Sequence, residues 1–299
     1  RETRELSVQQ KLDFARDGED WPNREASRFV EAAGLKWHVQ VIGEGPVVLL
    51  VHGTGASSHS FGELARILSD AFTVVVPDLP GHGFTDLPPP SRLSLSEMAE
   101  DLSALLKTLR LEPRLVVGHS AGAAILIEMC LDDLVEPEAI ISINGALLPF
   151  DSMIGQFFSP MAKLLVLNPL VPKLFAWRAS SGSAVERLID STGSRLKADE
   201  LGYYRRLFQS EGHVEAALGM MAGWDLHTFE KRLEALKVPL ILVVGSEDRA
   251  VSPDDAFKIS DRLPDAKVVL LRGLGHLAHE ESPERIAEIV EQWAALAPA

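Results

Sequence analysis

The sequence predicts an α/β fold: a mostly parallel, doubly wound sheet with a helical segment inserted between two of its strands. Three observations predict it. Short, fully apolar, β-branched runs alternate with amphipathic helical stretches, the pattern of strands buried on both faces. The alternation lapses over residues 149–236, where the pattern is helical and broken by Pro, Ser and Gly, and then resumes at "VPLILVVG". The 299 residues, 46% of them hydrophobic, suffice for one large core with an insertion. The expected division is a core from 1–148 and 237–299 and a helical cap from 149–236.

The elements follow in order. "KWHVQVIG" (36–43) reads as a strand, and the turn "GEGP" leads into the buried run "VVLLVHG" (47–53). Further strands are expected at 72–78, 114–120, 138–145, 239–248 and 266–273. "SFGELARILSD" (60–70) has helical apolar spacing, and 94–111 is strongly amphipathic, with Ser94 and Glu97 fitting a capping box. A last helix over 283–296 starts at Pro283, a favoured first-turn residue.

Composition excludes several classes. A net charge of −14 repels phosphate backbones, so nucleic acid is not an expected partner. The single cysteine, Cys130, rules out a disulfide-stapled scaffold and reads as a small core residue. The opening residues show no apolar signal-peptide core. The apolar window 157–177 is interrupted by Lys163, Asn168, Pro169, Pro172 and Lys173, so no transmembrane segment is expected there. It reads as helices facing an apolar pocket, with shallow contact at a membrane surface as the lesser alternative. The expected location is cytoplasmic. No Cys, His and carboxylate cluster has metal-ligand spacing, and "GEG" (43–45) lacks the helix a dinucleotide site needs, so neither metal nor cofactor is expected.

Chemistry in an open parallel sheet collects at the carboxyl ends of its strands. Four such ends are unusual here. "GHSAG" (118–122) joins a strand to a helix by a sharp turn that exposes Ser120, a nucleophile if a base and oxyanion donors are near. "VHGTG" (51–55) brings backbone N–H groups close, so Thr54 and Ala121 N–H form the expected oxyanion hole. Each such donor is typically worth about 2.7–4 kcal/mol of barrier. "GSEDRAVSP" (245–253) supplies Asp248, with Glu247 adjacent as an alternative, and "GLGHLAHEESPE" (273–284) supplies His276, the expected acid and base. His82 reads as structural and His279 as a packing residue. His59, Asn144, Phe158, Trp177, Trp224 and Asp225 are the residues expected to line a substrate pocket.

The order Ser120, Asp248, His276, with "HGTG" upstream, resembles the α/β-hydrolase superfamily over about residues 25–296. Serine at the elbow sets the chain apart from haloalkane dehalogenases and soluble epoxide hydrolases, which carry Asp there. It implies hydrolysis of an ester, thioester or carbon–carbon bond next to a carbonyl. One departure is Thr85, where the turn after "PGHG" more often carries Ser. More specific stretches, "DWPNREASRFVEAAGLKWHVQ", "SINGALLPF", "NPLVPKLFAWRA" and "MMAGWDL", resemble the magnesium-chelatase accessory family of bacteriochlorophyll biosynthesis. That likeness implies a role near magnesium insertion into protoporphyrin, with a tetrapyrrole and magnesium-chelatase subunits as partners and a peripheral position at the photosynthetic membrane. It implies no particular reaction. Three expectations therefore stand: a serine hydrolase acting on a small apolar substrate, a non-enzymatic accessory protein that keeps an inherited triad, and, as the least of them, acyl transfer in which another nucleophile replaces water.

Overall fold

The structure, a computed structural model, describes residues 11–149, 170–179 and 183–296. Eight strands form one sheet: β1 (Ser27–Ala32), β2 (Leu35–Ile42), β3 (Val47–Val51), β4 (Thr73–Pro77), β5 (Leu115–His119), β6 (Ala139–Ile143), β7 (Leu240–Gly245) and β8 (Lys267–Leu271). Their order is β1-β2-β4-β3-β5-β6-β7-β8. β2 runs antiparallel to β1 and β4, and every other pairing is parallel. The fold is that of an α/β hydrolase.

The helices among the described residues are α1 (Phe14–Asp17), α2 (Gly62–Leu68), α3 (Leu95–Leu109), α4 (Ala121–Leu131), α5 (Leu170–Ala179), α6 (Ala184–Ser191), α7 (Ala198–Phe208), α8 (Glu211–Gly223), α9 (Leu226–Arg232), α10 (Pro253–Arg262), α11 (Ala278–Glu281) and α12 (Pro283–Leu296). The described regular elements between β6 and β7 are all helical. Ser94 caps α3 by accepting the Glu97 N–H, and the chain leaves that helix through Arg110 at φ 56°.

Strand periodicity divides the core into two layers. Leu49, Val51, Val75, Val116, Ile140 and Leu242 face Met98, Leu102, Ile125 and Met129 of α3 and α4. The alternate residues Val48, Leu50, Val74, Val76, Val117 and Ile141 face Leu64 and Leu68 of α2 and Ile286 and Val290 of α12. Burial on both faces explains why these strands read as unbroken apolar runs. β1 escapes that reading. It is an edge strand, "SRFVEA", half of it exposed and without apolar alternation. It turns into β2 through Ala33 and Gly34, both at positive φ (52° and 72°), the geometry of a primed two-residue hairpin.

The topology selects the site. From β3 the chain steps to β4 on one side and then crosses to β5 on the other. The loops after β3 and β5 therefore diverge over a crevice, where ligands bind in sheets of this kind.

Candidate active site

Ser120 occupies the turn between β5 and α4 at φ 51° and ψ −116°, a region that side-chain-bearing residues rarely adopt. Such a conformation costs about 1–3 kcal/mol and persists only where the surroundings impose it. Here the Ser120 N–H donates to Ile143 O at 3.0 Å, and Ser120 O accepts from the Ala123 and Ala146 N–H groups. The flanking glycines make the turn possible. A Cβ at Gly118 would lie 2.4 Å from Ala123 N, and one at Gly122 would lie 2.1 Å from Val51 O. α4 starts at the next residue, so its positive end faces the Ser120 hydroxyl region.

The base and acid come from the loops after β8 and β7. His276 Nδ1 lies 2.8 Å from Asp248 Oδ2, and both residues are buried. The other carboxylate oxygen, Oδ1, accepts from the Ala250 and Val251 N–H groups at 2.8 and 2.9 Å. A carboxylate only accepts, so His276 holds its proton on Nδ1 and keeps a lone pair on Nε2. Ser120 and His276 line one cavity of about 460 Å3. Among the described residues the Ser120 hydroxyl makes no hydrogen bond with His276. Pairs of this kind commonly tighten only around a bound substrate.

Thr54 and Ala121 line the same cavity. Among the described residues neither backbone N–H donates a hydrogen bond within the chain. Both are thus available to a ligand oxygen, which is the requirement for an oxyanion hole.

The remaining pocket candidates separate. Trp224 lines the cavity, with its indole N–H donating to Leu93 O at 3.1 Å. His59 does not line it. It is buried behind the wall, bonded through Nδ1 to Ser57 Oγ at 2.7 Å and packed on Trp21 and Tyr204. Asp225 is exposed and caps α9 through the Thr228 N–H and hydroxyl, because its carboxylate answers the unpaired amides of a helix start. Trp177 is 64% exposed on the surface of α5. Phe158 lies outside the described residues.

Asn144 lies under the catalytic loop rather than in the cavity. Its Nδ2 donates to Gly275 O at 3.0 Å and His276 O at 2.7 Å, and its Oδ1 accepts the Gly245 N–H at 2.8 Å. It adopts φ 46°, which asparagine tolerates better than most residues. One side chain thus ties the base loop to the end of the acid-bearing strand. His119 supports the same point, with Nε2 donating to His276 O at 3.0 Å and its ring in tilted contact with those of His276 and His279. Burial holds His119 well below the usual histidine range and His279 down to about 3, so both stay neutral beside the base. Burial also pushes the Cys130 thiol up to about 12, which leaves it protonated and inert.

Most of the cavity wall comes from residues that sequence patterns did not single out: Leu188 and Ile189 of α6, Tyr204 and Phe208 of α7, and Met220 and Met221 of α8. The wall is overwhelmingly apolar, and Arg178 is its one permanently charged member among the described residues. No group of three or more His, Cys, Asp or Glu suited to a metal occurs among the described residues. No described helix is long and apolar enough to cross a membrane.

Comparison with known proteins agrees with the fold. The chain is 37% identical over 276 residues to the magnesium-chelatase 30 kDa subunit of Rhodobacter capsulatus, covering 92% of this chain and 96% of that protein. It is 28% identical over 279 residues to a 2-(acetamidomethylene)succinate hydrolase of Mesorhizobium japonicum, covering 86% and 91%. A thermophilic esterase from Thermogutta terrifontis superposes with a TM-score of 0.74 at 24% identity, over 91% of this chain and 99% of that one. A profile of the alpha/beta hydrolase family matches residues 48–289. With the sheet order, the elbow at Ser120 and this match across most of its length, the chain belongs to the α/β-hydrolase family.

Proposed function

We propose that the protein is a serine hydrolase that cleaves an ester-like carbonyl bond of a small, largely apolar substrate. One observation carries the reading: Ser120, the Asp248-bonded His276 and the two unengaged amides of Thr54 and Ala121 converge on one apolar cavity at the sheet's switch point. Ser120 Oγ attacks the substrate carbonyl while His276 Nε2 takes the hydroxyl proton. Asp248 orients the ring and balances the imidazolium. The Thr54 and Ala121 N–H groups hold the oxyanion of the tetrahedral intermediate. His276 then returns the proton to the leaving group, which departs. A water molecule, deprotonated by the same nitrogen, attacks the acyl-enzyme; the bond from the acyl carbon to Ser120 Oγ breaks, the acid leaves, and His276 returns the proton to Oγ. Residues 149–236 act as the cap whose helices shape the acyl site.

A fluorophosphonate probe tests this directly. Wild type should be labelled at Ser120 and Ser120→Ala should not; failure to label the folded wild type would refute the proposal.

The likeness to a magnesium-chelatase subunit favours a second reading, in which the cavity holds a tetrapyrrole and the protein assists magnesium insertion without chemistry. Protoporphyrin titrated against tryptophan fluorescence separates the two, because Trp224 lines the cavity. Saturable quenching retained by Ser120→Ala supports the accessory role, and absence of quenching removes it.

A further inference from the structure

α5 (Leu170–Ala179) has an unusual surface. Leu170, Leu174 and Trp177 are 67%, 59% and 64% exposed, while Pro172 and Ala176 face inward, where the helix packs against α8. At 100° per residue the three exposed apolar side chains fall within one narrow stripe. Lys173 and Arg178, both exposed, lie on either side of it. They are the only polar residues of the helix. A helix that is apolar on its exposed as well as its buried side needs a second apolar phase.

Charge specifies the partner. The chain carries −14 overall, yet no Asp or Glu occurs from Ser152 to Gly182. An apolar stripe bordered by two cations, on a helix with no acid of its own, is the arrangement by which helices lie at the headgroup boundary of an anionic bilayer. The apolar side chains enter the acyl layer, and the long cationic ones reach outward to the headgroups. Position supplies a second argument. Arg178 is also part of the cavity wall, so the stripe lies beside the cavity that Ser120 lines. A docked α5 would hold that apolar cavity close to an apolar phase.

We propose that α5 docks the protein on anionic membrane surfaces, through Leu170, Leu174 and Trp177 with Lys173 and Arg178 at the flanks. This holds whether or not Ser120 turns over a substrate. Co-sedimentation tests it, with vesicles of phosphatidylglycerol and phosphatidylcholine against vesicles of phosphatidylcholine alone at low salt. Wild type should pellet with the anionic vesicles and remain largely in solution with the neutral ones. Lys173→Gln should weaken that binding about fivefold, the value of one cation near an anionic surface. The double variant Leu174→Asp/Trp177→Asp should lose it. Neither of those residues lines the cavity, so fluorophosphonate labelling and melting temperature should match wild type and certify the fold. Failure of wild type to bind anionic vesicles overturns the proposal, as does undiminished binding by a folded double variant. Size-exclusion showing a wild-type dimer that the double variant dissolves, without vesicle binding, would assign the stripe to a second copy and also overturn it.

Discussion

Replacing Asn144 by Ala tests whether the base is placed by the loop's own fold or by a strut beneath it. The substitution removes the acceptor of the Gly245 N–H and both bonds to the carbonyls of Gly275 and His276. Gly245 is buried, and an unpaired buried N–H costs about 1–3 kcal/mol. The two lost donations add about 1 kcal/mol together, at the low end because His276 O keeps the His119 bond. Alanine at φ 46° adds about another 1 kcal/mol. The sum is about 3–5 kcal/mol, which at roughly 2–4 °C per kcal/mol lowers the melting temperature by roughly 10 °C. Asn144→Gly, which relieves only the backbone, should recover about 1 kcal/mol of it. The second-order rate of fluorophosphonate labelling, measured well below both melting points, should fall about 10- to 100-fold, because a displacement of about 1 Å at a reacting group has that effect. A melting temperature within 2 °C of wild type refutes the energetic argument (2 °C being roughly the shift for 1 kcal/mol). A lowered melting temperature with an unchanged labelling rate would leave Asn144 a structural strut and refute its placing of His276.

The other predictions are shorter. Asp248→Asn should keep its carbonyl oxygen on the Ala250 and Val251 amides and turn its NH2 toward His276, forcing the proton to Nε2; labelling should drop about 10^4-fold, and a drop below tenfold would contradict the tautomer argument. Stability should fall as pH drops below the ordinary histidine range. Burial lowers His52, His59, His82 and His119, and brings His213 to about 4 and His279 to about 3. The unfolded chain therefore binds more protons below about pH 6.5, and each group contributes up to about 1.4 kcal/mol per pH unit. Glu280 acts in the opposite sense: burial raises it to about 8, so the folded chain holds the extra proton and stability declines as pH rises toward 8. Glu280→Gln, which keeps the acceptor for Tyr204, should flatten thermal stability between pH 6.5 and 8, and a slope equal to wild type would show that Glu280 ionises freely. Ala217→Trp narrows the cavity from α8 and should shift hydrolysis of a p-nitrophenyl ester series toward shorter acyl groups; an unchanged chain-length profile would place the acyl group elsewhere.

Legibility in the sequence tracked burial. β3, β5, β6 and β7 lie between two helical layers, so their residues are apolar apart from His119 and Ser142 and read as strands at once. β1 lies at the edge and alternates nothing, and its turn, Ala33–Gly34, is not one of the Asn-Gly or Asp-Gly pairs that announce a hairpin. The loops bearing Ser120, Thr54, Asp248 and His276 were legible because each ends an apolar strand in glycine-rich residues. Asn144 was legible as a residue at a strand end but not as a strut, since its partners are backbone atoms of Gly245, Gly275 and His276 that only the folded chain brings near. Trp177 misled for a physical reason. A large apolar residue beside a cavity is expected to face it, and periodicity alone does not say which side of α5 is covered.

The same division explains how much likeness to other hydrolases can say about chemistry. What the chain shares with an esterase at 24% identity is the sheet, which fixes where strand ends converge. That convergence brings Ser120 and His276 to one cavity and would serve acyl transfer on many substrates. Selection among substrates falls to the wall, and the wall is drawn largely from α6, α7 and α8, between β6 and β7. Those helices pack mainly on one another and on α5, so most of their inward residues, Met220 excepted, can change without disturbing the two core layers. The cavity of about 460 Å3 has an overwhelmingly apolar wall among the described residues, which on the proposed reading would not select by hydrogen-bond pattern, as sites that bind polar metabolites do. On that reading it would select chiefly by volume. On the proposed hydrolase reading, substitutions on α6 to α8 should therefore change which acyl group is accepted while leaving the reactivity of Ser120 toward a small phosphonate intact.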